Sequence, residues 1–168
     1  MIRSFDGKTP RIADSAFVSE AAYVIGDVEI GENAGIWPGA VVRGDGVTIR
    51  IGRNTIIQDN CVIHCDEDME IGDGVLIGHS VVVHATRVGS NTLIGNNATV
   101  LEFVEIGSSC IIAAGCLVSP ATKIPDNSFV IGLPGRIKGQ ASPEQLQRVR
   151  QGVHHYGELL KRYKEQGL

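Results

Sequence analysis

Aromatic residues make up only 5% of this 168-residue chain, with one Trp, three Tyr and four Phe, although 43% of it is apolar. An interior with so few large rings has to be narrow and filled by aliphatic side chains. No run reaches the roughly 18 apolar residues of a membrane-spanning helix, and Met1-Ile2-Arg3-Ser4-Phe5-Asp6-Gly7 holds no apolar leader core. A cytoplasmic protein with no membrane partner is the expectation. Charge forms no blocks either: 15 Lys and Arg stand against 19 Asp and Glu, a net charge of −4. Nucleic acid is therefore not an expected partner. Four scattered cysteines imply no disulfide framework.

What the chain does have is a repeat. Aliphatic residues recur every six positions at Ile12, Val18, Val24, Ile30, Ile36 and Val42, then at Ile51, Ile57 and Ile63, at Ile71, Ile77 and Val83, and from Val88 to Val130. A period of six matches neither a helix nor a long alternating strand, but it suits short strands separated by tight turns. Gly follows every third aliphatic position at Gly31, Gly52, Gly72, Gly89 and Gly107, which groups three units into one coil of a triangular prism of about seven coils. The first side carries residues 12, 30, 51, 71, 88, 106 and 124. The second carries 18, 36, 57, 77, 94, 112 and 130, and the third 24, 42, 63, 83, 100 and 118. Small residues two positions before the aliphatic ones, Cys61, Cys110 and Cys116 among them, suit the narrow interior. Cys65 is read as structural.

Three histidines acquire meaning in this frame. His64 follows inward Ile63 and His84 follows inward Val83, so both face outward on the third side, one coil apart. Strands stack about 4.8 Å apart, a spacing at which two imidazoles can reach one metal ion. His79 lies two residues after Ile77 on the second side and diverges from the other two, so it is expected to complete a site on a neighbouring subunit. Three imidazoles with an open fourth position are an arrangement of catalytic zinc, which brings the pKa of bound water to about 7. Arg43 occupies the His64 and His84 column one coil earlier, where its cation calls for a carboxylate, and Asp45 is the natural partner. Asp59 lies beneath His79, and Gln58 beside it offers both a donor and an acceptor. The acidic insertion Cys65-Asp66-Glu67-Asp68 reads as a solvated loop that could also ferry protons.

Residues 1–139 are expected to form the β-helix domain and residues 140–168 a C-terminal helix packed on the prism or on a neighbour. Ser142-Pro143-Glu144-Gln145 is a capping-box start, and Leu146, Val149, Val153, Tyr156, Leu160 and Tyr163 form one apolar stripe. The expected fold class is thus all-β, a parallel β-helix with a C-terminal α-helix.

Arg43-Gly44-Asp45, Gln58-Asp59, His64, Gly78-His79 and His84 together resemble the γ-class carbonic anhydrases among hexapeptide-repeat proteins, over about residues 10 to 165. The resemblance implies a left-handed β-helix and a homotrimer with metal at subunit interfaces. The metal would be Zn2+, with Fe2+ or Co2+ as alternatives, and the substrates CO2 and bicarbonate. It further implies that His64, His79 and His84 are ligands, that Gln58 orients the bound hydroxide, that Arg43, Asp45 and Asp59 tie the interface, and that Tyr156 lies near the site. Ile56 stands where family members often carry Asn, Gly46 stands where the well-characterised active type carries Glu, and the longer acidic loop of that type, which bears a proton shuttle, is shortened here. Slow hydration is therefore expected. A non-catalytic assembly relative is the alternative, and a hexapeptide acyltransferase a weaker one, suggested by Gly132-Leu133-Pro134-Gly135.

Overall fold

A computed structural model describes residues 1–168 as a left-handed parallel β-helix of about seven coils closed by one helix, α1 (Pro143–Glu165). Most strands are two residues long, because each side of a coil needs only one inward aliphatic residue before the chain turns. The three columns fall in register. Ile30, Ile51, Ile71 and Val88 stack on the first side, Ile36, Ile57, Ile77 and Ile94 on the second, and Val42, Ile63, Val83 and Val100 on the third. These residues belong to one continuous buried cluster. Corner residues such as Asn33, Asn54, Asn60, Asn91 and Asn97 have φ between +54° and +60°, a left-handed conformation that Asn tolerates better than most residues.

All four cysteines are buried and unpaired. Burial pushes the Cys61 thiol up to about 11, with the nearby Asp59 charge acting in the same direction, so it behaves as a small apolar side chain. Cys65 also points inward, with its thiol 3.3 Å from the His84 carbonyl.

The outward faces differ. On the first side, Arg11, Glu29, Arg50, Glu70, Arg87, Glu105 and Lys123 pair coil by coil, so charge alternates in sign along the whole prism. Lys123 lies 2.8 Å from Glu105, and Arg50 3.7 Å from Glu29. Opposite charges on adjacent strands attract and like charges repel, so the alternation suits a solvated face. The second side lies under α1. Val149 and Leu160 are buried there, and Trp37 packs against Phe17, Tyr156 and Tyr163 at ring separations of 5.4, 5.3 and 5.1 Å. Ser142 and Gln145 form the expected capping box. Gly152 allows close approach of the helix, since a Cβ there would lie 2.8 Å from Leu76. The third side presents exposed Val62 and Val82 beside the histidines.

Between Tyr23–Ile30 and Val41–Ile51 the chain runs straight through the corner that joins the third side to the first. Gly26 faces Gly44 so closely that a Cβ on Gly26 would collide with the Gly44 carbonyl. Beyond this contact the register shifts, and the insertion anticipated between Val42 and Ile51 bulges out opposite Asp27. Asp27 is 7% exposed and accepts from Lys8 Nζ at 2.8 Å, Thr48 Oγ1 at 3.0 Å and Arg11 Nη2 at 3.2 Å. Lys8 reaches it from the turn at Asp6-Gly7, which is bridged by Phe5 and Lys8.

The end of the prism departs from the sequence-based picture of coils giving way directly to a helix. Gly135–Gln140 forms a strand that pairs antiparallel with Ser128–Gly132. No helix is long and apolar enough to cross a membrane.

The charge ladder generates one test. Glu70→Lys would set three cations in successive coils between Arg50 and Arg87. The variant should lose on the order of 0.5 kcal/mol in urea unfolding, and the difference should shrink in 1 M salt. An unchanged midpoint at low salt would mean that the ladder carries no energy.

Asp27 generates a second. The hydrogen bond from Lys8 outweighs the opposing effect of burial and, helped by Thr48 and the Lys8 and Arg11 charges, holds its carboxyl below the usual range. A depressed folded-state pKa contributes stability above the unfolded value of about 3.9 that disappears as pH falls through the folded value. Asp27→Asn should thus cost roughly 1–3 kcal/mol at pH 7. Unfolding curves of variant and parent should converge in acid, below about pH 4.

Candidate metal centre

His64 and His84 are held by adjacent coils of the third side. Val62 and Ile63 pair with Val82 and Val83, the His64 amide donates to the Val83 carbonyl at 3.1 Å, and the His84 amide donates to Val100 at 2.8 Å. The imidazoles that follow these inward residues lie with ring centroids 5.4 Å apart at an interplanar angle of 68°. Each side chain is about one-fifth exposed, at 18% and 20%.

Arg43, one coil below His64, contributes in two ways. Its guanidinium lies 2.6 Å from Asp45 Oδ2, the pairing expected from the sequence, and within one chain. Its backbone carbonyl accepts from His64 Nδ1 at 2.9 Å. With Nδ1 protonated, His64 Nε2 carries the free lone pair, so a backbone contact sets the tautomer that a metal ligand requires. This role of Arg43 could not be read from residue types. Partial burial works against the Asp45 carboxylate, but the Arg43 hydrogen bond, its own backbone N–H and the Arg43 charge hold its pKa below the usual range.

His84 Nδ1 is buried with no hydrogen-bond partner in the chain. An unsatisfied buried ring nitrogen costs about 1–3 kcal/mol, so the His84 ring is held by packing and not by a hydrogen bond at Nδ1. His84 Nε2 is turned the other way, toward the acidic loop. Asp66 Oδ1 lies 4.0 Å from it and 3.9 Å from His64 Nε2. These three side chains are the group whose ligand atoms lie within 4.8 Å of one another.

His79 stands apart from this group, on the second side. It lies directly above Asp59, with Nδ1 3.0 Å from Asp59 Oδ2, and its amide donates to Asn96 Oδ1 at 3.0 Å. The carboxylate can hold Nδ1–H and leave Nε2 free, as the Arg43 carbonyl does for His64. Gln58, one residue before Asp59, is 5% exposed. Tyr156 on α1 belongs to the same neighbourhood. Burial raises its phenol pKa and the Asp59 charge raises it further, so it stays a neutral donor at pH 7.

The residues singled out from the sequence therefore lie in two separate clusters on one chain. Arg43, Asp45, His64 and His84 make one on the third side; Gln58, Asp59, His79 and Tyr156 make the other on the second. The donors fit a divalent transition ion. Two imidazoles present Nε2 atoms toward one region, and the Nδ1 atoms of His64 and His79 are held by oxygen acceptors.

The family described as "Bacterial transferase hexapeptide (six repeats)" matches residues 85–120. Along 158 residues, 91% of this chain and 99% of the other, the sequence is 40% identical to the "Probable carbonic anhydrase" of Methanocaldococcus jannaschii. It is 38% identical over 167 residues to "Gamma carbonic anhydrase 1, mitochondrial" of Arabidopsis thaliana, covering 95% of this chain but only 60% of the plant protein. The crystal structure of a hexapeptide transferase family protein from Anaplasma phagocytophilum superposes with a TM-score of 0.92 at 31% identity, covering 96% of this chain and 97% of that one. With identity at this level along nearly its full length, the chain belongs to the γ-carbonic anhydrase-like family of hexapeptide-repeat β-helix proteins.

Proposed function

We propose that the protein is a homotrimeric, metal-dependent carbonic anhydrase, converting CO2 and water to bicarbonate and a proton and back. The observation that carries this reading is the pair of Nε2 atoms, one on His64 and one on His84, turned toward one region from adjacent coils. A bound Zn2+, Fe2+ or Co2+ would supply a hydroxide nucleophile near neutral pH by acidifying its water.

The chain's own residues do the rest. His64 and His84 hold the ion from one subunit, and His79 of a neighbouring subunit, braced by Asp59, supplies the third imidazole. Gln58 orients the nucleophile through its amide. Arg43 fixes the His64 ring through its carbonyl, and its guanidinium pairs with Asp45 where the subunits meet. Tyr156 offers a neutral hydroxyl beside Asp59. Of the three acidic residues that could carry the released proton, Asp68 is already engaged, accepting from the Thr48 amide at 2.8 Å. That leaves Asp66 and Glu67, and Gly46 offers no carboxylate, so proton export limits turnover.

Trimerisation has a physical basis in the unequal faces. The first side is a neutralised charge ladder and the second is covered by α1, whereas the third exposes Val62 and Val82 beside the His64 and His84 imidazoles. Burying that face against a neighbour removes the Val62 and Val82 side chains from water. Acyl transfer is the second reading, favoured by the likeness to a transferase family protein. It needs one imidazole as a base and no metal.

Stopped-flow hydration of CO2 by the metal-loaded protein should be measurable and rise with imidazole buffer concentration, because buffer replaces the weak internal proton path. His84→Ala should abolish it. A protein carrying a full complement of zinc, iron or cobalt yet inactive at every buffer strength would exclude the carbonic anhydrase reading.

Subunit sharing is checked by mixing. His79→Ala and His64→Ala trimers should each be inactive, whereas refolded mixtures should regain activity at interfaces where an intact His64–His84 pair meets an intact His79. Mixed trimers without recovery would place all the ligands on one chain.

A further inference from the structure

The loop after His64 does more than interrupt the coils. It is pinned at both ends. Cys65 turns inward with its thiol 3.3 Å from the His84 carbonyl, and Asp68 accepts from the Thr48 amide at 2.8 Å. Alternation along the chain then sends Asp66 outward, the same way as the two imidazoles. Its Oδ1 lies almost equally far from both Nε2 atoms, at 3.9 and 4.0 Å.

Ligands bonded to a tetrahedral ion at about 2.0–2.1 Å stand roughly 3.3 Å from one another. The gap to be closed is therefore well under 1 Å for each contact with Asp66. That carboxylate is 69% exposed and free to turn. His64 Nε2 holds a lone pair because Nδ1 donates to Arg43. The nearby Arg43 charge is already paired with Asp45, so it does not oppose a second cation. Two neutral imidazoles and one carboxylate form a sufficient protein ligand set for Zn2+ and for Fe2+.

We propose that Asp66 is a metal ligand of the single chain. With His64 and His84 it completes a two-histidine, one-carboxylate loading site for a divalent transition ion that does not require His79. The proposal rests on the reading that His64 and His84 bind metal. Asp66 then acts as a displaceable ligand, holding the ion until a neighbouring subunit's His79 takes its place. The acidic insertion thereby becomes a device for acquiring metal, where its sequence suggested only solvent or protons.

Equilibrium dialysis with Co2+, read by elemental analysis and by the visible d–d bands, tests this on four full-length proteins: the parent, Asp66→Asn, His79→Ala and the double variant. Asp66 and His79 are exposed enough for all four to fold, which circular dichroism verifies. The parent and Asp66→Asn should each bind one ion per chain, since three imidazoles suffice. His79→Ala should still bind one, more weakly and with shifted bands. The double variant should bind more weakly than His79→Ala by at least the 10–100-fold that loss of an outer-shell partner costs. In the apo parent, Asp66→Asn should slow Co2+ uptake. Equal affinity of His79→Ala and the double variant would overturn the proposal, as would complete loss of binding in His79→Ala. Both outcomes leave the shared three-histidine site intact. Absence of Co2+ and Zn2+ binding by the parent would overturn the metal reading itself.

Discussion

A prism that admits one large aliphatic side chain per side per coil leaves no freedom of register, and the metal-binding geometry is a by-product of that constraint. His64 and His84 are twenty positions apart in sequence but 5.4 Å apart in space, because Ile63 and Val83 must stack. The polar side chains contribute nothing to this alignment. They inherit positions fixed by neighbours that never touch the site, so the coils can absorb insertions of irregular length. The bulge opposite Asp27 and the acidic loop after His64 both interrupt the six-residue period, yet residues 42, 63 and 83 remain in one column.

A second layer of control lies in the backbone of the bulged coil. Asp27 gathers Lys8, Arg11 and Thr48, and the segment it restrains carries Arg43 and Asp45. Arg43 in turn orients His64 through its carbonyl. A buried carboxylate on one coil is thus linked to the tautomer of an imidazole two coils on, through a chain of contacts each of ordinary strength. The close backbone approach of Gly26 and Gly44 is what lets these coils pack tightly enough for the linkage to form.

Much of this was legible from the sequence, for a physical reason. Columns follow from counting, since an inward residue every six positions fixes which side chains share a face. That is how the His64 and His84 pair, the Arg43 and Asp45 pair and the Asp59 and His79 stack could be anticipated. The capping box at Ser142 and the helical stripe follow equally local rules. Contacts made by main-chain atoms were not legible, because a carbonyl has no letter of its own; the Arg43 to His64 bond is the clearest case. The Asp66 geometry depends on how a loop is pinned at Cys65 and Asp68, which spacing alone does not disclose. The alternating ladder from Arg11 to Lys123 was there to be found. Its signal lies in the residues just before the first-side aliphatics, which alternate in sign from coil to coil and are independent of the inward column.

The antiparallel strand at Gly135–Gln140 has a consequence beyond its own chain. A stack of parallel strands in register is a growing template, since each terminal rung offers the same unpaired backbone groups that the rung beneath has just used. Reversing the direction of the last rung changes that pattern of donors and acceptors. Arg136 and Lys138 on the exposed strand add like charges that a second copy would have to meet. On the second side, the reversed rung therefore offers a further parallel strand a different pattern of partners from the rungs beneath it, while the first and third sides end on the parallel strands Lys123–Ile124 and Leu117–Val118.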